Sequence, residues 1–353
     1  MDHEIHYSAN QVYQFSYAWP IYKQLGGTFR LKRKKRILQF KWAMRNMNQF
    51  PDRVRTFLNS PPVAKIDVNN CYDFRGILIS LSNTEIKRDR SKSVAIYSGH
   101  GTGDKIYGGN PNNLLTYDYI FVSGEKHIEK MKDLEINIPE EKLIKTGNIR
   151  FDDYLNQKID RDRILDSLGI KDRSRKNILY APTWKWGDGT FERYVYSFCE
   201  ELTKEYNLIV RPHSHDSRQI PKVKLWTKLK GIKHAYFSNP TNLRERDTMF
   251  DFLISDLMIS DTSSVIYEYL VTQKPIIVAQ NDCKILHTMP DKYNINSFVD
   301  TYNGSQKISE MVRDNLASEK NKDKYRQMLF DCFYFNDGNS TRRAVEFIKS
   351  LKI

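Results

Sequence analysis

Hydrophobic and polar positions along the chain fall into two regimes. Over the first 60 residues apolar side chains recur at helical spacing, predicting helices over 13–25 and 37–57, with Gly26-Gly27 as the turn between them and Pro51 breaking the second. From Gly76 the pattern changes to short apolar runs separated by amphipathic stretches. Residues 76–81, 93–97, 119–122 and 143–146 read as strands and 125–131 as a helix. A charged, irregular stretch over 160–176 interrupts the series and reads as an interdomain connection. Beyond it come strands at 177–181, 208–211 and 235–238, helices at 191–206 and 250–254, and terminal helices at 321–333 and 340–353.

The best-ordered stretch is 256–279. An apolar strand at 256–260 runs into Asp261-Thr262-Ser263-Ser264, which carries helix N-cap chemistry, and 265–272 continues as a short helix. Lys274-Pro275 ends that helix, and Ile276-Ile277-Val278-Ala279 is a second strand. Strand, helix, strand predicts a parallel βαβ unit. Its hydroxyls and N–H groups lie at the carboxyl edge of a sheet, where they would either hold a phosphate or simply cap the helix. The repeated alternation predicts an α/β protein of two doubly wound parallel-sheet domains facing a cleft, the GT-B architecture. The boundary falls at 1–165 and 166–353, with the last helix packing back on the first domain.

Composition narrows the class. A length of 353 residues suits two such domains. Mean hydropathy is −0.63 and no apolar run approaches the roughly 20 residues that span a bilayer, which excludes an integral membrane protein. The first residues lack the basic and apolar regions of a secretory signal. Cys71, Cys199, Cys283 and Cys332 form no C-x-x-C, so reduced thiols in a cytoplasmic protein are expected and a structural zinc is not. The net charge of +13 is uneven, residues 1–60 holding 11 Lys/Arg against 3 Asp/Glu. Six of those bases lie between Arg30 and Arg36, among Phe29, Leu31, Ile37, Phe40 and Trp42. Such a segment suits an anionic membrane surface, a nucleic acid or a merely solvated face. No RRM or helix-turn-helix signature supports the nucleic acid.

Candidate chemistry sits where strands end. Ser98-Gly99-His100-Gly101-Thr102-Gly103 surrounds one histidine with small residues, letting a ligand approach the backbone and leaving the imidazole exposed. No G-K-[ST] follows, so it is not a P-loop. Ala181-Pro182-Thr183-Trp184 ends another strand, beside a tryptophan-rich loop suited to a base, an acceptor or plain packing. Arg211-Pro212-His213 ends a third and presents positive donors. His213 and His215 lack a nearby carboxylate pair, so no metal is expected. Asp337-Gly338-Asn339-Ser340-Thr341-Arg342-Arg343 leads into a helix whose start and two arginines would either hold a phosphate or face solvent.

Together these motifs resemble the CDP-glycerol glycerophosphotransferase family, which includes the teichoic acid primases and polymerases. The resemblance rests on L-Y-A-P-T-W at 179–184, R-P-H at 211–213, S-D-T-S-S-V-I-Y-E-Y at 260–269, K-P-I-I-V at 274–278 and D-G-N-S-T-R-R at 337–343. S-G-H-G-T-G at 98–103 looks like the family's H-G-T segment, and T-G-N-I-R-F-D-D at 146–153 like its G-x-x-R-x-D segment. The motifs run in family order over about 93–347. Two positions depart: Gly99 stands where a tryptophan usually precedes H-G-T, and Lys105 is the nearest lysine after it.

The resemblance implies transfer of a glycerol-phosphate or related polyol-phosphate unit from a CDP-alcohol to an acceptor hydroxyl, with release of CMP. The acceptor would be a lipid-linked or polymeric glycan of a teichoic acid or capsule, met in the cytoplasm at the inner face of the membrane. It implies His100 as general base on the acceptor side, flanked by Gly99, Gly101 and Thr102. His213, Arg211, Ser263 and Ser264 would hold the donor diphosphate, with Pro182, Thr183 and Thr262 lining the donor site. Asp261 and Glu268 would contact glycerol or ribose hydroxyls, and Ser340, Arg342 and Arg343 would complete the phosphate cradle. No metal or other cofactor is required, since phosphoryl transfer needs positioning and positive charge above all. A GT-B glycosyltransferase using a nucleotide-sugar donor is the alternative that shares this fold.

Overall fold

The computed structural model describes residues 3–31, 34–45, 63–65, 74–106, 109–241, 247–287, 289–318 and 321–353. The chain divides into two compact units. One comprises Met1–His100, Tyr107–Asn156 and Phe333–Ile353, the other Gly101–Ile106 and Gln157–Cys332. In chain order the strands are β1 (Ile5–Ser8), β2 (Thr28–Leu31), β3 (Val63–Lys65), β4 (Gly76–Ser80), β5 (Ser93–Tyr97), β6 (Tyr119–Val122), β7 (Leu143–Lys145), β8 (Asn177–Tyr180), β9 (Asn207–Val210), β10 (Ala235–Phe237), β11 (Leu257–Ser260), β12 (Ile276–Ala279) and β13 (Asp300–Tyr302).

The first unit's sheet has the order β3-β2-β1-β4-β5-β6-β7 and is parallel throughout. The strand order reverses between β1 and β4, so this unit's switch point is bounded by the segments that leave β1, β4 and β5. In doubly wound sheets ligands bind at that place. The sequence pattern misses β1, β2 and β3 here and β13 in the other unit. The helix expected over 13–25 is a 3-10 turn, Val12–Tyr17, followed by an α-helix, Trp19–Leu25. Gly26-Gly27 does turn the chain, but into β2. A Cβ on Gly27 would lie 2.5 Å from the Ile5 carbonyl oxygen, so glycine lets β2 reach β1. Arg30 and Leu31 therefore belong to a strand, and the helix Lys34–Arg45 begins only after them. The basic run is not one amphipathic helix. The remainder of the helix expected over 37–57 lies outside the described residues.

The second unit's sheet, β10-β9-β8-β11-β12-β13, is also parallel and reverses between β8 and β11. Its inner strands β8, β9, β11 and β12 are buried on both faces, with Ile178, Tyr180, Leu208, Val210, Ile259 and Ile277 packed in one cluster with Phe198 and Leu202 of the helix Phe191–Leu202. The expected βαβ unit is present, with β11 and β12 paired in parallel and joined by a short α-turn, Val265–Glu268, and a 3-10 turn, Tyr269–Thr272. The stretch expected to be irregular instead contains a helix, Arg161–Leu168, capped by the Asp160 side chain and ended by Gly169 at a left-handed φ of 76°. Among the described residues no helix is long and apolar enough to cross a membrane.

Burial has a pH consequence in the first unit. His127 is buried on the helix Glu125–Asp133, and desolvation, reinforced by Lys130, pulls its pKa down to about 3. The unfolded chain binds this proton near pH 6.5, so the contribution is fully present above that pH and is lost as pH falls toward 3. The slope is up to roughly 1.4 kcal/mol per pH unit. Urea unfolding at pH 6.5 and 4.5 should show a smaller loss for His127→Leu than for the unsubstituted protein. Equal losses would contradict it.

Candidate active site

In the first unit three strand exits meet around His100. The segment leaving β1 carries Gln14, the segment leaving β4 carries Leu81, and His100 follows β5. The His100 Nδ1 lies 2.5 Å from the Leu81 carbonyl oxygen, which can only accept. The neutral ring therefore carries its proton on Nδ1 and its lone pair on Nε2. Tyr13 and Tyr17 stand edge-on to the ring at centroid distances of 6.0 and 6.3 Å. Burial, with Lys130 nearby, holds His100 below the usual imidazole range even though the Leu81 carbonyl works against it. Gly99 and Gly101 adopt φ of 64° and 80°, the left-handed region that favours glycine, on both sides of the histidine.

The second unit's switch point gathers the motifs that follow β8, β9 and β11. His213 Nδ1 accepts from the His215 backbone N–H at 3.2 Å, which puts the neutral ring's proton on Nε2. Its ring stacks on Trp184 at 5.8 Å and 18°, and Trp184 also stacks on Trp186. Ser264 stands at the N-cap of Val265–Glu268, but its side chain makes no cap hydrogen bond. Ser263 is buried beside it. A Cβ on Gly103 would fall 2.7 Å from Ser264 Cα, so the glycine lets the tail of the H-G-T segment lie against this turn.

Several expected ligands have other work. Asp261 is buried, its carboxylate accepting from Thr183 N at 2.7 Å and from Thr190 N and Oγ1 at 3.0 Å each. It ties down the loop after β8 and does not present those oxygens to a sugar or glycerol. Burial pushes this carboxyl up, while the Thr190 and Thr183 donors and Lys105 pull it back. Arg211 is held through Nη1 by Asp251 at 2.8 Å and Ser238 at 2.9 Å. Thr262 Oγ1 donates to the Gly187 carbonyl, Glu268 is fully buried, and Pro182 and Thr183 lie inside the unit. Thr102 is buried and its Oγ1 has no hydrogen-bond partner.

The expected contribution of 337–343 to a phosphate cradle is corrected by the structure. The N–H groups of Ser340 and Thr341 donate to the two oxygens of buried Asp152, at 3.0 and 2.6 Å. A carboxylate of the chain itself thus caps this helix where an anion would otherwise go. Arg343 pairs with Asp337 and lies 3.8 Å over the Phe335 ring, while Arg342 is exposed and near Glu346. The two motifs at 146–153 and 337–343 serve each other.

Sequence reasoning left Lys105 out of the site. Segment 104–106 runs antiparallel to 285–287, and Lys105 reaches back to donate to Thr183 Oγ1. Burial pulls its ammonium pKa down, opposed by Asp261, Cys283 and Asp104. The signal was only its distance from His100 in sequence. Gln14 carried no signal at all. Among the described residues no three His, Cys, Asp or Glu side chains converge as a metal would require.

A family model described as CDP-Glycerol:Poly(glycerophosphate) glycerophosphotransferase matches residues 99–350. The Teichoic acid glycerol-phosphate primase of Bacillus subtilis (strain 168) is 26% identical over 288 residues, 75% of this chain and 70% of that one. The Teichoic acid ribitol-phosphate polymerase TarK of Staphylococcus aureus is 30% identical over 254 residues, 66% of this chain but 45% of TarK, so the match spans less than half of that relative. The solved Wall Teichoic Acid Polymerase TagF shares the fold, with a TM-score of 0.66 at 18% identity over 98% of this chain and 88% of that one.

Proposed function

The chain belongs to the CDP-glycerol:poly(glycerophosphate) glycerophosphotransferase family, and from that premise we propose that it transfers a polyol-phosphate unit from a CDP-alcohol to an acceptor hydroxyl in cell-surface polymer synthesis. The observation that carries this reading is the contact of His100 Nδ1 with the Leu81 carbonyl oxygen at 2.5 Å, which commits Nδ1–H and leaves Nε2 its lone pair. In the proposed step Nε2 takes the proton of the acceptor hydroxyl, and the oxygen attacks the β-phosphorus of the CDP-alcohol. The bond from that phosphorus to the bridging oxygen breaks, and CMP leaves with the bonding pair. On the donor side His213 Nε2–H, Lys105 and the Ser263 and Ser264 hydroxyls supply donors and positive charge for the diphosphate. Arg211 contributes through the fold of β9's exit.

Calorimetry with CDP-glycerol, CDP-ribitol and a UDP-sugar tests the donor class. Binding of a CDP-alcohol and not of the UDP-sugar is expected, and the reverse preference would defeat the reading. Within that test Ser264→Ala should weaken CDP-alcohol binding by roughly 1–3 kcal/mol, with little change in stability because its side chain makes no cap bond. Unchanged affinity in the folded variant would remove Ser264 from the donor site.

The acceptor would be a lipid-linked or polymeric glycan, which places the enzyme at the inner face of the membrane. The basic segment supports this, with exposed Lys35 and Leu38 on the helix Lys34–Arg45. Near an anionic surface each base contributes about 1 kcal/mol. Sedimentation with phosphatidylglycerol vesicles should decline in high salt and in a Lys32, Lys34, Lys35→Gln variant. Binding insensitive to both would argue against membrane attachment through this segment.

A further inference from the structure

Gln14, a neighbour of His100, belongs to no motif. It is buried, and its Oε1 accepts three hydrogen bonds: from Asn10 N at 3.0 Å, Gln11 N at 2.9 Å and Ser82 Oγ at 2.7 Å. A flipped amide would set its NH₂ group against three donors, so the orientation is fixed by the network. The NH₂ group is thereby aimed at His100, with its nitrogen 3.1 Å from Nδ1 and 3.0 Å from Nε2. Being equidistant from both ring nitrogens, it lies off the axis of the Nε2 lone pair and does not itself occupy the place of an incoming hydroxyl. It sets the positive end of an amide dipole against the ring, which opposes a second ring proton.

We propose that Gln14 is a positioning residue for the general base: its amide, locked by Asn10, Gln11 and Ser82, keeps His100 neutral while the Leu81 carbonyl holds the proton on Nδ1, so that Nε2 receives the acceptor's proton. The other titratable groups that face the ring are Tyr13 and Tyr17 from the Val12–Tyr17 turn and Lys130 from the Glu125–Asp133 helix. Lys130 opposes the imidazolium in the same sense as the amide. The arrangement joins the exits of β1, β4 and β5, and it rests on the reading of His100 as the base.

Gln14→Glu is the informative variant. One carboxylate oxygen still accepts from Asn10, Gln11 and Ser82, while the other replaces the NH₂ group against the ring and favours the imidazolium. The acid limb of kcat/KM should move up by about one pH unit or more, which is a rate loss of about tenfold on the acid side of the limb that recovers as the pH is raised. CDP-glycerol affinity should stay within about twofold. Two NMR measurements on ¹⁵N-histidine-labelled protein accompany it. In the unsubstituted protein the ring shifts should report the Nδ1–H tautomer of His100, and the opposite tautomer would overturn the proposal without any variant. In Gln14→Glu the His100 titration should move up together with the rate. A titration that stays put in the folded variant overturns the role of Gln14. A titration that moves while the acid limb does not overturns the general-base reading, and this proposal with it.

Discussion

His100→Ala is expected to lower kcat by about 10²–10⁴-fold while CDP-glycerol binds as before. The size follows from what is removed: the proposed proton acceptor, with the groups proposed for the diphosphate left in place. Lys105, His213, Ser263 and Ser264 all belong to the second unit, whereas His100 ends the first segment of the other. The fold should tolerate the change, since the residue is only partly buried and its ring nitrogens meet one carbonyl and one amide. Single-turnover rates beside calorimetry separate the two quantities. Lost donor binding, or turnover near the unsubstituted value, would reassign His100 to donor binding or to packing.

Arg211→Ala should have its largest effect on stability. Asp251 is fully buried, and its carboxylate meets the Arg211 guanidinium at 2.8 Å and the Ser238 hydroxyl at 2.6 Å. Removing one member of a buried pair leaves a buried charge uncompensated, a loss of about 3–5 kcal/mol. Replacing both members with apolar residues removes that charge, so Arg211→Met with Asp251→Leu should recover much of the loss. Urea midpoints for the single and double variants decide it. A single variant of normal stability with weakened donor affinity would restore Arg211 to the diphosphate.

What the sequence made legible is what local pattern controls. β4 to β12 are short runs with turn chemistry at their ends, and each was readable. β1 and β2 were not, because Ile5-His6-Tyr7-Ser8 and Thr28-Phe29-Arg30-Leu31 are four residues long and carry polar or basic side chains. Their strand state comes from pairing with each other and with β4. The site divides in the same way. Motifs that follow strands come to the two switch points, because a doubly wound sheet delivers every strand exit to one edge. The partner of each side chain was not legible. Asp261 and Arg211 read as ligands until Thr183, Thr190 and Asp251 are seen to engage them. Asp152 and Ser340 are 188 residues apart in sequence, and only the fold joins them. Lys105 and Gln14 enter for the same reason.

The most direct test of the account is to incubate the protein with CDP-glycerol and a lipid-linked acceptor bearing a free hydroxyl, and to quantify CMP and acceptor-bound phosphate together. CDP-ribitol and a UDP-sugar serve as parallel donors. One CMP should be released for each polyol phosphate gained by the acceptor, with no UDP formed and with both products reduced together in His100→Ala. Release of UDP with sugar transfer, and no CMP from either CDP-alcohol, would contradict it.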